Sequence, residues 1–184
     1  MNLPHTIAGL CVAVSILGTS AIGQEPTKPG LEQKILAADE GTWDATIKTF
    51  TPGSTDPQIS KGTEVNEIMP GGVWLLSKLD GEFGGMKLQG RGQFAYDPVE
   101  KKYIGTWIDS MGPTLSTLEG TYDAKTKTMT YVGAGVVPAT KAKFTRKMVT
   151  TSKDDGTRVF SLSMKFEGAP DEVKFLEITY SKRK

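Results

Sequence analysis

The chain has 184 residues, with 22 basic and 21 acidic side chains, so its formal net charge is +1. This balance gives no argument for binding to nucleic acid or to an anionic membrane. The single cysteine, Cys11, and the single histidine, His5, both lie in the first 23 residues. The rest of the chain therefore offers no disulfide, thiol nucleophile, imidazole base or Cys/His metal site, and we expect no cofactor and no metal.

The first segment has the parts of a secretory signal peptide. A short polar start precedes an apolar run at 7–17, and small residues follow up to Gly23. The apolar run is too short to span a bilayer, and no later run approaches it. We expect cleavage after Gly23 and a secreted or periplasmic protein without a membrane span. The predicted organisation is a signal peptide at 1–23, a flexible lead-in at 24–30 and one barrel domain at 31–184.

A change in hydrophobic period divides the remaining chain. Leu31 and Ile35 lie four positions apart in 31–40, which predicts one short helix that caps or plugs an end of the fold. From Trp43 onward, apolar and polar residues alternate with a period of two, which is typical of strands with one buried face. The predicted strands begin at Trp43 and continue at 61–69, 72–80, 86–96, 102–109, 114–122, 128–132, 141–151, 158–166 and 173–181.

This order of elements predicts an all-β fold. No connection is long enough for a helical crossover, so about ten strands run antiparallel in up-and-down order. Because an open meander leaves two exposed edges, we expect the sheet to close into a barrel. Gly90 and Gly92 fall on the apolar face of one strand, where glycine usually marks a bend in a curled sheet.

The start of the first strand resembles a known superfamily. Gly41-Thr42-Trp43 directly follows the predicted helix and is similar to the G-x-W start of the calycins, which include lipocalins and fatty-acid-binding proteins. In that group a late basic side chain lies across the tryptophan at the closed end of the barrel. The resemblance implies that Trp43 is structural and that Lys182 or Arg183 contacts its ring through a cation–π interaction.

A second set of motifs extends over nearly the whole chain after the lead-in. These motifs are Gly41-x-Trp43, Lys61-Gly62-Thr63, Gly71-Gly72, Gly81-Glu82-Phe83-x-Gly85-Met86, Tyr96-Asp97-Pro98, Lys102-Tyr103-x-Gly105-x-Trp107-x-Asp109-Ser110-Met111, Glu119-Gly120-x-Tyr122-Asp123 and Glu177-x-x-Tyr180. In order and spacing they resemble the bacterial family catalogued as domain of unknown function 1579. The resemblance implies a calycin-like barrel in an exported protein and no assigned chemistry. In the related nitrobindin-like barrels a histidine holds haem, and this chain has no histidine after residue 23.

The predicted strand at 102–109 carries the sharpest candidate site. Tyr103, Trp107 and Asp109 share one of its faces. If that face points inward, rings line a cavity and a carboxylate near its mouth holds the polar head of a ligand. The alternative is that Asp109 only starts the turn before Pro113. The other face carries Ile104 and also needs a cover, for which the helix at 31–40 is the candidate.

Arg146 is the second candidate, because it alternates in step with Phe144 and Met148. An arginine among inward positions is costly unless it is paired, so it would bind an internal Asp or Glu or, by resemblance to fatty-acid-binding barrels, a ligand carboxylate. The alternative, if a bulge intervenes, is a surface arginine. The predicted ligand-binding residues are Tyr103, Trp107, Asp109, Arg146, Phe94 and Tyr96.

Three functions remain open. The first is binding of a small apolar or amphipathic molecule in the barrel. The second is a carboxylate-based enzyme: Glu67 shares the parity of apolar neighbours, Glu119 and Glu177 face solvent, and no spacing shows an acid–base pair, so no catalytic residue is assigned. The third is a partner-binding domain that uses the strand at 102–109 together with Trp74. The oligomeric state is left open.

Overall fold

A computed structural model describes residues 28–52, 54 and 56–184. The predicted signal peptide and most of the lead-in lie outside these residues. No helix in the described ranges is long and apolar enough to cross a membrane. The elements are α1 (Leu31–Ala37), β1 (Gly41–Thr49), β2 (Gln58–Ile68), β3 (Trp74–Phe83), β4 (Met86–Asp97), β5 (Lys102–Asp109), β6 (Gly112–Asp123), β7 (Thr128–Val136), β8 (Lys143–Ser152), β9 (Thr157–Phe166) and β10 (Val173–Lys182).

The ten strands form a closed antiparallel barrel. Each strand pairs with its neighbours in sequence, and β1 pairs with β10 to complete the ring. The predicted all-β, up-and-down barrel with one short N-terminal helix is therefore confirmed. The largest difference in bounds is in β7, which continues past the predicted end at Val132 to Val136. Its two late glycines weaken the local strand signal, but pairing with β8 holds the segment extended.

Helix α1 covers the end of the barrel at which β1 begins. We call this the α1 end and the opposite end the distal end. Leu36 packs into an interior cluster with Leu75 and Tyr103, and the hydroxyl of Tyr103 donates a hydrogen bond to the carbonyl of Glu32 at 3.3 Å. A seven-residue helix is not stable alone in water, so this packing keeps it helical.

The outer face of β5 is not covered by α1, which corrects the sequence-based expectation. The helix is short and packs mainly on β3 and β4 at the α1 end, and it meets β5 at the inward side chain of Tyr103. Ile104 is half-buried beside Trp74 in an outer groove of about 250 Å³, and Ile108 is half exposed. The inner face of β5 is covered by the core, and its outer face remains at the surface.

Inward aromatic rings pack on glycines of neighbouring strands. Gly92 on β4 lies opposite Trp107 on β5, and a Cβ atom at Gly90 or Gly92 would overlap the Trp107 ring. These glycines, which we expected to mark bends, therefore make room for a ring that fills the interior. The same contact is made by Phe94 on Gly105 and by Tyr131 on Gly120.

Side chains fill much of the interior in two apolar clusters. One lies against β1 and β10 and contains Ile47 and Ile178, which are fully buried. The other lies against β4 to β7 and contains Phe94 and Tyr131. Trp107 packs against both clusters, so it connects the two halves of the core.

Candidate functional site

The structure divides the six predicted ligand contacts between the two ends of the barrel. Phe94, Tyr96 and Tyr103 lie toward the α1 end. The ring of Phe94 is 5.2 Å from that of Tyr131, and the ring of Tyr96 is 5.1 Å from that of Tyr103. These rings pack on one another and on α1, so they fill the space that a ligand would need there.

Trp107 and Asp109 lie together in the distal half of the barrel. The indole Nε1 of Trp107 donates a hydrogen bond to Asp109 Oδ2 at 3.0 Å. The other carboxylate oxygen, Oδ1, accepts one from the backbone N–H of Met111 at 3.0 Å. Asp109 therefore starts the β5–β6 turn, as the alternative interpretation held, and it also orients an inward ring.

Arg146 points into the same distal half. It lies opposite Gly133 on β7 and Met164 on β9, in a stretch of β8 that pairs without a bulge. Its Nη1 donates to the hydroxyl of Ser116 at 2.5 Å, and its guanidinium carbon lies 5.3 Å from the centre of the Phe144 ring. Arg146 is therefore an inward arginine and not a surface one.

The charge of Arg146 is incompletely satisfied. Its Nε is buried and has no hydrogen-bond partner among the described residues. Burial lowers the pKa of Arg146, and the nearby carboxylate of Asp109 opposes this effect without forming an ion pair. A guanidinium that has lost water without gaining a carboxylate is costly, and an anion entering beside it would recover part of that cost.

A concavity of about 630 Å³ lies over the distal ends of β7, β8 and β9. Phe144 and Phe166 provide its apolar lining, with ring centres 6.0 Å apart, and Lys143 and Lys165 lie on its rim. Because Phe144 also lies under the guanidinium of Arg146, the arginine and the concavity are adjacent. Its volume is comparable to that of small-molecule sites, but the concavity is shallow and largely open to solvent.

The carboxylates considered for catalysis lie away from this site. Glu67 was expected to share the inward face, but it is exposed, and Glu64 is the inward residue of β2. Each of the three expected candidates forms an ion pair with a lysine at the outer surface. The pairs are Lys78–Glu67 at 3.1 Å, Lys102–Glu119 at 2.9 Å and Lys174–Glu177 at 2.9 Å.

A buried cluster of charges at the α1 end was missed by the sequence analysis. The guanidinium carbon of Arg158 lies between two rings, 4.3 Å from the centre of Trp43 and 4.4 Å from that of Tyr180. Its Nη1 pairs with Asp39 Oδ2 at 3.2 Å, and its Nη2 pairs with Glu64 Oε1. Burial opposes the charge, but the two carboxylates outweigh it and raise the pKa of Arg158.

The basic residues expected beside Trp43 occupy different places. Lys182 Nζ lies 5.3 Å from the indole centre, whereas Arg183 pairs with Asp44 on the outer surface. The contact expected of Arg183 is made mainly by Arg158, which corrects that assignment. Trp43 is buried, and its Nε1 donates to the carbonyl of Asp39 at 2.9 Å, so the ring joins α1 to the barrel.

Buried tyrosines predict a loss of stability at alkaline pH. Burial raises the pKa of Tyr103 to about 12, and it also raises the pKa values of Tyr131 and Tyr180. Unfolded tyrosine titrates near pH 10, so above about pH 10 the unfolded chain loses protons that the folded chain keeps. The free energy of unfolding should therefore fall between about pH 10 and 12. Urea titrations at several pH values measure how the free energy of unfolding changes with pH, and Tyr103→Phe should make this change smaller. If tyrosinate absorbance rises over this range while the near-ultraviolet circular dichroism stays native, the prediction is wrong.

The comparisons with known proteins agree with the motifs. No curated protein matches the chain. Among solved structures, the S-type phycobiliprotein lyase CPES from Guillardia theta is similar at 10% identity and a TM-score of 0.48, over 85% of this chain and 99% of that chain, a likeness too distant to carry an argument. The model of one family, described as a protein of unknown function (DUF1579), matches residues 28–182. The chain therefore belongs to the DUF1579 family, as its motifs indicated.

Proposed function

We propose that this barrel binds a small amphipathic molecule with an anionic head at its distal end. The observation that carries the proposal is Arg146, an inward guanidinium to which the described residues give one hydroxyl partner and no paired carboxylate, with its buried Nε left without a hydrogen bond. Charges placed in this way are rare in protein interiors unless something pairs with them. A ligand anion would supply the missing partner.

The shape of the interior supports one orientation of the ligand. The α1 half is filled by rings and by the cluster around Arg158, so a ligand entering the distal end stops near Arg146. Its anionic group would contact Arg146 and the hydroxyl of Ser116. Its apolar part would lie on Phe144 and Phe166 in the concavity, with the lysines of the rim nearby.

Asp109 has a supporting part in this proposal. Both of its carboxylate oxygens are already used, one by Trp107 Nε1 and one by the backbone of Met111. It is therefore a poor acceptor for a ligand's polar head, the role that the sequence suggested. Its negative charge instead helps to keep Arg146 ionised.

Export is part of the proposal and is supported by the sequence at 1–23. Cleavage after Gly23 would leave a protein without cysteine or histidine. The mass of the exported protein measures the cleavage position directly.

We expect the exported protein to bind 11-(dansylamino)undecanoic acid and to bind its methyl ester at least about tenfold more weakly, because the ester has no anion for Arg146. Arg146→Met should lower the affinity for the acid by about 10- to 100-fold, since a charged hydrogen bond is worth about 1.5 to 3 kcal/mol. It should leave the affinity for the ester nearly unchanged. Fluorescence titration measures all four values.

Arg91→Met is the matched control. Arg91 lies on β4 and pairs with Asp80 at 3.4 Å at the surface. It is distant from Arg146 in the sequence and has different contacts. The variant should bind the acid like the natural protein. Equal affinities for acid and ester, or the same loss of affinity for the acid in both arginine variants, would contradict the proposed site. Circular dichroism verifies that each variant is folded.

A further inference from the structure

Exposed apolar side chains are concentrated on one part of the distal rim. Five large apolar residues there are between 41% and 63% exposed. They lie in or beside the β3–β4, β5–β6 and β7–β8 connections, which are neighbours in the closed barrel. We call this set the rim patch, and its members are Met86, Ile108, Met111, Leu115 and Val136.

Positive charge surrounds the rim patch. Lys87 follows Met86 on β4, Lys141 and Lys143 lie at the start of β8, and Lys165 lies near the end of β9; all four are exposed. Three acidic residues oppose them: Glu82, Asp109 in the β5–β6 turn, and Glu167, which lies 3.8 Å from Lys143. The four lysines outnumber these three residues, so this part of the rim carries a small excess of positive charge.

The opposite side of the distal rim has a different character. The β9–β10 connection carries the exposed acidic residues Asp171 and Glu172. The exposed Lys174 follows these two acidic residues on β10. Five of the six large exposed apolar residues that the structure describes at the distal end belong to the rim patch, whereas the sixth, Ile59, lies on β2. A surface that combines apolar side chains with surrounding lysines is the arrangement by which proteins lie in the interface of an anionic bilayer.

We propose that the rim patch docks on an anionic lipid bilayer, with its apolar side chains entering the headgroup region and its lysines contacting lipid phosphates. A second copy of the chain is a less suitable partner for the rim patch. A two-fold contact through this patch would bring the lysines of both copies together, and like charges repel across such an interface. The charge complementarity favours an anionic partner.

Docking in this way has a consequence for the concavity beside Arg146. Val136 belongs to the rim patch, and Val136 and Lys143 also line the concavity. A bilayer that contacts the rim patch would therefore lie next to the concavity, and an amphipathic molecule could pass between the two without crossing bulk water. The docking itself does not depend on ligand binding and is tested separately.

We expect the full exported protein to sediment with vesicles that contain phosphatidylglycerol and phosphatidylcholine, and to bind pure phosphatidylcholine vesicles at least about tenfold more weakly, because each lysine near an anionic surface contributes about a fivefold factor. Added salt should weaken the binding. The triple variant Met86→Ser, Met111→Ser, Leu115→Ser should lose at least about tenfold in partition, because its apolar contacts with the interface are removed.

A matched triple variant at the other end of the barrel is the control. Leu31, Met69 and Val99 are exposed apolar residues at the α1 end, and their replacement by serine should leave the partition unchanged. Absence of binding to the anionic vesicles, or equal losses in both triple variants, would overturn the proposal. Light scattering that detects a dimer abolished only by the rim-patch variant would assign the patch to a second copy and overturn it as well.

Discussion

Replacing Arg158 with methionine is expected to lower the free energy of unfolding by about 3 to 5 kcal/mol. The guanidinium is the only cation that the described residues place between Asp39 and Glu64, and the Glu64 side chain is nearly as buried as that of Arg158. Methionine fills the space between Trp43 and Tyr180 but leaves a buried carboxylate without a counter-charge. Urea denaturation followed by fluorescence measures the loss.

Two comparisons separate this ionic effect from a loss of packing. The double variant Arg158→Met, Glu64→Gln removes the isolated carboxylate and should recover a large part of the lost stability. Arg183→Met removes an arginine whose partner, Asp44, is at the surface, so it should unfold at nearly the same urea concentration as the natural protein. A double variant no more stable than Arg158→Met would mean that the cation stabilises through ring stacking.

The pH dependence of the Arg158→Met variant follows from the same cluster. Burial already raises the pKa of Asp39, and Arg158 opposes that rise. Without Arg158 the folded protein should hold a proton at the cluster more tightly than the unfolded chain does. The deficit in stability should therefore shrink as the pH falls from 7 toward about 4, where the unfolded carboxyl groups also become protonated.

The fold could be predicted from the sequence because its determinants are local. Alternating apolar residues predict each strand, and short turns of Asp, Gly and Pro predict where each strand ends. A long series of antiparallel strands leaves two exposed edges unless it closes into a barrel. β5 was predicted with its observed bounds because charged or turn-forming residues stand at both of its ends. The glycine-rich end of β7 was not predicted, because its strand conformation depends on pairing with β8.

The ionic cluster could not be found by assuming that inward faces are apolar. On β2 the inward residues include Glu64, next to Trp43 and Leu79, and Asn66, next to Gly41 and Ser77, while Val65 faces outward. The pattern therefore indicated the wrong face for this strand. A signal did exist on β9, where Arg158 alternates in step with Phe160 and Leu162, but its partners come from the α1–β1 junction and β2, far away in the sequence.

The sequence predicted which side chains of the candidate site point inward, but not where along the barrel each of them lies. Alternation placed Trp107, Asp109 and Arg146 on inward faces, and the structure has them there. The same alternation grouped them with Phe94, Tyr96 and Tyr103, because it gives the face of a residue but not its height along the barrel. Height depends on strand register and tilt, and these separate the rings packed under α1 from the arginine at the distal end.

The two ends of the barrel thus differ in what their charges do. At the α1 end, Arg158 has two carboxylates and two rings, and the cluster is closed to a ligand. At the distal end, the part of the chain that the structure describes gives Arg146 a single hydroxyl partner, and the arginine lies beside a concavity. Both arginines have a buried Nε without a hydrogen bond among the described residues, but only Arg158 is paired with carboxylates. A paired arginine stabilises the fold, whereas an unpaired one favours binding of an anion, so we expect a ligand at the distal end.

Gly90→Ala is expected to lower the free energy of unfolding by about 3 kcal/mol, the upper part of the usual range for overpacking a core. A Cβ atom there would overlap the six-membered ring of Trp107, which packs against both interior clusters and cannot move without disturbing them. The displaced indole should also lose its hydrogen bond to Asp109. Urea denaturation measures the stability, and the indole N–H resonance of Trp107 reports on the hydrogen bond.

Gly112→Ala is the matched control, because a Cβ atom at Gly112 meets nothing within 4 Å and should leave both measurements unchanged. A Gly90→Ala variant with natural stability and an unchanged indole resonance would show that the ring does not need the glycine beneath it.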